Sequence, residues 1–253
     1  MSTIAAIKAG VRRRRARGEL KWLLAPAYAA RSLYRRAMIG LWYKQIVEEV
    51  RRAGPETDVE RLMDQGLGGF HGLVASIQNR QELAEYLRIL QAERPRRAME
   101  VGTAGGGTLY LLARVLDPKG RLISLDLPGG PGGGGYPDWK IPLYQAFALP
   151  GQDLELVRGD SHSQEVAERA RTWLAGEPLD ALFIDGDHSY EGVKQDFEVY
   201  GPMVRPGGLI ALHDIEYCEG VRRFWAELKA GHPGARELLG TEGQVYGIGL
   251  VRG

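Results

Sequence analysis

Acidic residues and histidines recur at the ends of short apolar runs in this chain, and their types set the chemistry available to it. Glu100 stands just ahead of Gly102-Thr103-Ala-Gly-Gly106-Gly-Thr108, and Asp126 closes Leu-Ile-Ser-Leu-Asp. Asp160 and Ser161 follow Arg158-Gly, Asp185 opens Asp-Gly-Asp187-His188, and His213-Asp214 follow Leu212. A carboxylate at Glu100, beside a glycine loop, suits a cationic ligand group better than a pyrophosphate; the bland reading of the loop is a tight strand-to-helix turn. Asp126 can accept both hydroxyls of a ribose. Asp160 is either the partner of an adenine amino group or, like Ser161, only the N-cap of the next helix. Asp185 and Asp214 repel each other if they meet over one cleft. A divalent cation relieves that repulsion, and hard oxygen ligands favour Mg²⁺ or Ca²⁺, with Mn²⁺ also compatible. Such an ion orients a substrate hydroxyl and favours its ionised form. His162, His188 and His213, with unperturbed pKa values of about 6.5, are each candidates for a general base or for a purely structural role.

Positioning these residues requires alternating elements. The hydrophobic pattern predicts helix Gln81–Glu93, strand Ala98–Val101, helix Gly105–Leu116, strand Arg121–Leu125, strand Leu154–Arg158 and helix Ser163–Leu174. It continues with strand Leu179–Ile184, helix Tyr190–Val204, strand Leu209–His213, helix Gly220–Lys229 and strand Gln244–Val251. Repeated β–α units build a parallel sheet with helices on both faces and right-handed crossovers. Ligands of such sheets lie outside the carboxyl ends of the strands, where every residue named above falls. The stretch Pro128-Gly-Gly-Pro-Gly-Gly-Gly-Gly135-Tyr136-Pro-Asp-Trp139 is either a lid bringing Tyr136 and Trp139 to a substrate or a loose insertion.

With 253 residues, 44% of them hydrophobic and 26% charged, the chain can bury the core of one α/β domain with an appendage, which excludes wholesale disorder. Its one cysteine, Cys218, excludes a disulfide framework and a cysteine-based zinc or iron–sulfur site. The division expected is a basic helical extension over 1–72, followed by a catalytic domain over 73–253. Residues 1–60 hold 13 Lys/Arg against 6 Asp/Glu, so the near-neutral total conceals a basic start. A secretion signal is rejected, because Glu19, Lys21 and Pro26 interrupt the apolar patch. Arg12–Arg17 with Trp22 and Leu23 are read as a solvated helix, an arm on a partner subunit, or a peripheral membrane contact. Gly66–Gly72 reads as a mobile loop ahead of the main domain. No run approaches the roughly 18 apolar residues of a membrane span, and a cytoplasmic location is expected.

Taken together, these motifs resemble the class I S-adenosylmethionine-dependent methyltransferases over about residues 80–251. Phe183-Ile-Asp-Gly-Asp-His-Ser-Tyr-Glu-Gly-Val193 and Pro206-Gly-Gly-Leu-Ile-Ala-Leu-His-Asp214 look like a small-molecule branch. That branch includes the macrocin-type sugar O-methyltransferases and the cephalosporin-hydroxylase and rhamnosyl O-methyltransferase relatives. The resemblance implies a Rossmann-like, mostly parallel seven-stranded sheet. It also implies that Glu100, Gly102, Thr103, Gly106 and Thr108 face the methionine part of the cofactor, Asp126 its ribose, and Asp160 and Ser161 its adenine, with Asp185 bordering the same site. In metal-dependent members, Asp185 and an acidic pair at the end of the fifth strand hold Mg²⁺. Here that pair reads His213-Asp214, so His213 is either a third ligand beside Asp185 and Asp214 or the base of a metal-free enzyme, with His188 a further candidate base. The implied reaction passes a methyl group directly from the sulfonium to a hydroxyl of a sugar or natural-product/glycan intermediate, without a covalent enzyme intermediate. Expected partners are that hydroxylated acceptor and a second copy of this chain joined through the N-terminal helices; no nucleic acid is expected. Three rival expectations stand beside this one. An NAD(P)-dependent oxidoreductase would prefer a glycine at Ala104. A nucleic-acid methyltransferase is suggested by Arg12–Arg17 and opposed by a net charge of +1. The third rival is a non-catalytic membrane or assembly subunit that keeps a vestigial cofactor fold.

Overall fold

The computed structural model describes residues 40–129 and 135–253. The chain divides into two compact units, Met1–Ile46 and Val47–Gly253. In the first, residues 40–46 are described and are helical; Arg12–Arg17, Trp22 and Leu23 lie outside the described residues, as do positions 130–134. The second unit holds the sheet.

Strands β1 (Arg97–Val101), β2 (Arg121–Asp126), β3 (Asp153–Arg158), β4 (Leu179–Ile184), β5 (Val204–His213), β6 (Arg236–Leu238) and β7 (Ile248–Arg252) form one sheet in the order β3-β2-β1-β4-β5-β7-β6. The pairings from β3 across to β5 are parallel, while β7 runs antiparallel to both β5 and β6. The chain winds outward from β1 to β3 and then returns to place β4 against the other side of β1. That reversal opens a crevice at the carboxyl ends of β1 and β4.

Around the sheet lie α1 (Val59–Gly66), α2 (Arg80–Glu93), α3 (Gly107–Val115), α4 (Ile141–Gln145), α5 (Gln164–Leu174), α6 (Tyr190–Tyr200) and α7 (Glu219–Gly231). Met99, Ile123, Leu125, Leu182 and Ile210 pack in one cluster with Ala170 of α5, Val193 of α6, and Phe224 and Trp225 of α7. Tyr86 of α2 is fully buried against Phe183, with ring centroids 5.4 Å apart. Full burial of a side chain the size of Phe183 is worth about 1.5–3 kcal/mol.

Four departures from the sequence expectations have local causes. The sheet-bearing unit starts well before residue 73, because α1 buries Val59, Leu62 and Met63, and a Cβ at Gly66 would lie 2.7 Å from Leu111 of α3. Gly66–Gly72 is no detached loop: Phe70 sits at φ 50°, is buried, and meets Tyr110 edge-on at 5.3 Å. β5 begins at Val204 rather than Leu209, since Val204 pairs with Leu179 of β4 ahead of a register irregularity. β7 begins at Ile248, because residues 240–247 form a loop whose backbone amides bond to Glu82 instead of to a strand.

Candidate functional site

The glycine loop after β1 is shaped first by the protein itself. Gly102 has φ +94°, and a Cβ there would fall 2.0 Å from the Asp185 carbonyl oxygen, so only glycine lets β1 and β4 close at their carboxyl ends. Gly106 has φ +79° and abuts the Tyr144 ring; Thr108 bonds Ser76 through its hydroxyl at 3.1 Å. Gly106 and Thr108 therefore shape the wall of the loop, while Thr103 turns toward the strand ends. Its amide donates to Asp126 Oδ1 at 3.4 Å, and its hydroxyl pairs with that of Ser124 in a short contact.

Glu100 is fully buried and accepts from Ser124 Oγ at 2.9 Å, leaving Oε1 with no partner. Burial pushes its pKa well above the usual carboxylate range; Ser124 opposes this, and the charges of Asp126 and Asp185 add to it. Asp126, 7% exposed, keeps Oδ2 without a partner, and burial raises its pKa as well. An unpaired buried carboxylate oxygen at this strand end fits a polar ligand such as a ribose. Tyr136 packs close by, buried and at 4.7 Å from Tyr144, so this described part of the glycine-rich stretch lies against the strand ends. Asp160 is exposed and accepts from the His162 amide at 2.9 Å. The N-cap of α5 is Ser163 rather than Asp160 or Ser161, whose carbonyl accepts from Tyr200 Oη at 2.6 Å. His162 turns away from the other histidines, toward Gly192 O at 3.2 Å and Asp196 at 3.4 Å, a structural arrangement.

Across β1, the ends of β4 and β5 bring Asp185, His188, His213 and Asp214 together. Asp185 Oδ1 meets His213 Nδ1 at 3.0 Å and His188 Nε2 at 3.3 Å, and Oδ2 accepts from Gln78 Nε2 at 3.0 Å. Burial alone would raise the Asp185 pKa; His213 and His188 outweigh it and bring the carboxyl down to about 2. His188, the more open of the two imidazoles, is raised chiefly by its bond to Asp185. His213 is 3% exposed, its ring lies 5.7 Å from that of Tyr246, and Nε2 has no partner. Burial would lower its pKa, but Asp185 overrides that and the result is raised. Asp214 sits at φ +63°, is 5% exposed, and keeps Oδ1 unpartnered; burial raises its pKa, helped by Asp185 and opposed by the two histidines. Asp185, His213 and Asp214 each offer a ligand atom within 4.8 Å of the others, a donor set that fits a divalent cation.

Gln78, Glu82, Cys218 and Tyr246 escaped the sequence reading. Asn79 and Glu82 carry a signal, an N-cap with an acid three residues on. Asn79 does cap α2, but Glu82 turns away and accepts from the amides of Gly240, Tyr246 and Gly247. It thereby holds the loop whose Tyr246 ring covers His213.

With this geometry in place, comparison with known proteins is specific. A family described as a methyltransferase domain matches residues 99–215, which span β1 through the end of β5. Catechol O-methyltransferase of Mycobacterium tuberculosis is 25% identical over 233 residues, 77% of this chain and 96% of that protein. An uncharacterized protein of Sinorhizobium fredii is 29% identical over 151 residues; the match covers 57% of this chain but spans only 16% of that relative's length. Among solved structures, the O-methyltransferase from Bacillus cereus in complex with S-adenosylhomocysteine aligns with a TM-score of 0.53 at 23% identity, covering 85% of this chain and all of that one. The MycE methyltransferase of mycinamycin biosynthesis, in complex with Mg, S-adenosylhomocysteine and mycinamycin VI, aligns with a TM-score of 0.51 at 19% identity, over 78% of this chain and 54% of that one. Residues 99–215 thus resemble a methyltransferase domain, and the sheet has the fold of the O-methyltransferases with which it aligns.

Proposed function

We propose that this protein is an S-adenosylmethionine-dependent O-methyltransferase acting on a hydroxyl of a small molecule, a sugar or natural-product/glycan intermediate, with a divalent cation at Asp185 and Asp214. One observation carries the reading: the free oxygen of buried Asp126 and the Asp185–His213–Asp214 cluster share one sheet edge, separated only by β1. The bound cofactor supplies a methyl group on a cationic sulfur, and a bound cation supplies Lewis acidity to the acceptor oxygen. Asp126 anchors the ribose through its unpaired oxygen. Asp185 fixes His213 through Nδ1, which leaves Nε2 to take the hydroxyl proton while the carboxylate stabilises the imidazolium formed. A base so placed contributes about 10²–10⁴ in rate. The mycinamycin enzyme's bound Mg and natural product are in keeping with the cation and acceptor class named here.

Calorimetry with S-adenosylhomocysteine and NAD(P) side by side tests the cofactor. Binding of the first supports the proposal; binding of NAD(P) alone overturns it. A mass-spectrometric screen of sugars and phenols for the gain of one CH₂ then identifies the acceptor. Catalysis unaffected by EDTA overturns the cation and leaves His213 as the sole activator.

Among the described residues, no helix is long and apolar enough to cross a membrane.

A further inference from the structure

Residues 75–79, just ahead of α2, touch the glycine loop, the acid–histidine cluster and the 240–247 loop in turn. Ala75 N donates to Gly105 O at 3.2 Å, Ala75 O accepts from Gly107 N at 3.0 Å, and Ser76 bonds Thr108 through their hydroxyls at 3.1 Å. Gln78 Nε2 donates to Asp185 Oδ2 at 3.0 Å, and Asn79 Nδ2 donates to the carbonyls of Glu242 and Gln244 at 2.8 and 3.0 Å. The glycine loop is shaped for this strap. A Cβ at Gly105 would collide with the Ala75 carbonyl oxygen, and one at Gly107 would lie 2.7 Å from the Ala75 carbonyl carbon. Gln78 is thereby carried between two anchored neighbours, with the glycine loop on one side and the 240–247 loop on the other.

Asp185 needs a fixed partner of this kind. It is the first residue past β4, and its amide is tied to Val101 O at 2.8 Å, but its side chain leaves the sheet and is 19% exposed. Oδ1 is shared between His213 and His188, while Oδ2 has Gln78. A bond to an imidazole rearranges when a proton moves on or off that ring, whereas a carboxamide keeps its N–H throughout. Facing an ionised carboxylate, which can only accept, the amide presents its nitrogen. Gln78 Oε1 has no partner of its own, so the bond to Asp185 is what orients the side chain.

We infer that Gln78 is a positioning residue for the reacting cluster: it holds Asp185 turned toward His213 while His213 takes up the hydroxyl proton. The strap sets that arrangement at a fixed distance from the glycine loop. The part played by His213 rests on the function proposed above; the hold of Gln78 on Asp185 does not.

The test compares the full chain with Gln78→Met, which keeps the side chain's length and bulk and removes its donor, and with Gln78→Ala. In protein carrying isotope-labelled histidine, proton NMR reads the Nδ1 proton that His213 shares with Asp185. That proton is shielded from exchange by burial, His213 being 3% exposed, and its signal is identified by its loss in His213→Ala. The signal should move upfield and broaden in both Gln78 variants, while Tm and affinity for S-adenosylhomocysteine stay close to those of the unmodified chain. With the acceptor found by the mass-spectrometric screen, kcat should fall by about 10–100-fold at nearly constant KM, the worth of a hydrogen bond to a charged group. A signal missing from the unmodified chain or unmoved in Gln78→Met overturns the inference. So does a loss of Tm and S-adenosylhomocysteine affinity that matches the loss of kcat, since a purely structural anchor would give that result. If S-adenosylhomocysteine binds none of these proteins, the methyltransferase reading fails, and the His213 signal still decides whether Gln78 holds Asp185.

Discussion

The two halves of the carboxyl edge handle buried negative charge in opposite ways. On β1 and β2, Glu100 and Asp126 have hydroxyls and backbone amides for company, and burial drives both pKa values up. Just past β4, Asp185 is partly enclosed, its side chain 19% exposed, and His213 and His188 outweigh burial and draw it down to about 2. The first half stores acceptors that wait for a ligand's donors. The second half already contains its proton partners, the imidazoles of His213 and His188. On the proposed function, the strand ends divide into a binding side and a reacting side.

The largest effect should come from the hinge between the two halves. Gly102→Ala places a methyl group against the Asp185 carbonyl at a left-handed backbone position, and a loss of about 4 kcal/mol or more is expected in denaturant unfolding. Near-normal stability would mean that β1 and β4 do not meet as described. Next is Asp185→Asn, which leaves His213 without its charged partner. Turnover should fall by about 10²–10⁴-fold with little change in affinity for S-adenosylhomocysteine; an equal loss of both would dissolve the division into two sides. Asp126→Ala should do the reverse, weakening S-adenosylhomocysteine by about 10–100-fold in calorimetry. Unchanged affinity would remove Asp126 from the binding side.

The smallest effect is a pH dependence. Glu100 keeps its proton in the folded chain at pH values where the unfolded chain loses it, since its folded pKa is raised. Its destabilising contribution is absent below the unfolded value of about 4.5 and grows as pH rises from there toward the folded value. Glu100→Gln removes that contribution, so its gain in Tm should be larger by about 2–4 °C at pH 8 than at pH 5. A variant that loses both Tm and S-adenosylhomocysteine affinity would show instead that Glu100 is ionised and holds a cationic group.

Much of this was legible in one dimension. Alternation of apolar runs with amphipathic stretches set β1 through β4, the carboxyl end of β5, and α3, α5 and α6 to within a few residues, while α4 carried no such signal. The acids and histidines at those strand ends were found because a strand's last residue leaves the sheet at the edge where ligands bind. Legibility failed where a partner lies far along the chain. Gln78, which bonds Asp185, and Glu82, which holds the 240–247 loop, sit on or just before α2 with no local mark of those contacts. Cys218 is unremarkable until the turn after β5 sets it against Asp214 and His188.

The sequence by itself determined which residues stand at the strand ends, because hydrophobic periodicity and turn residues are local properties. It could not determine which of those ends meet, or what charge each would carry. The sheet order put β1 between β2 and β4, and that placement, together with burial and the two imidazoles, made Asp126 a carboxyl raised in pKa and Asp185 one lowered. Both are aspartates at the carboxyl end of a strand, one its last residue and one just beyond; their difference arises from neighbours supplied by distant parts of the chain, and electrostatic environment is a property of the folded interior alone.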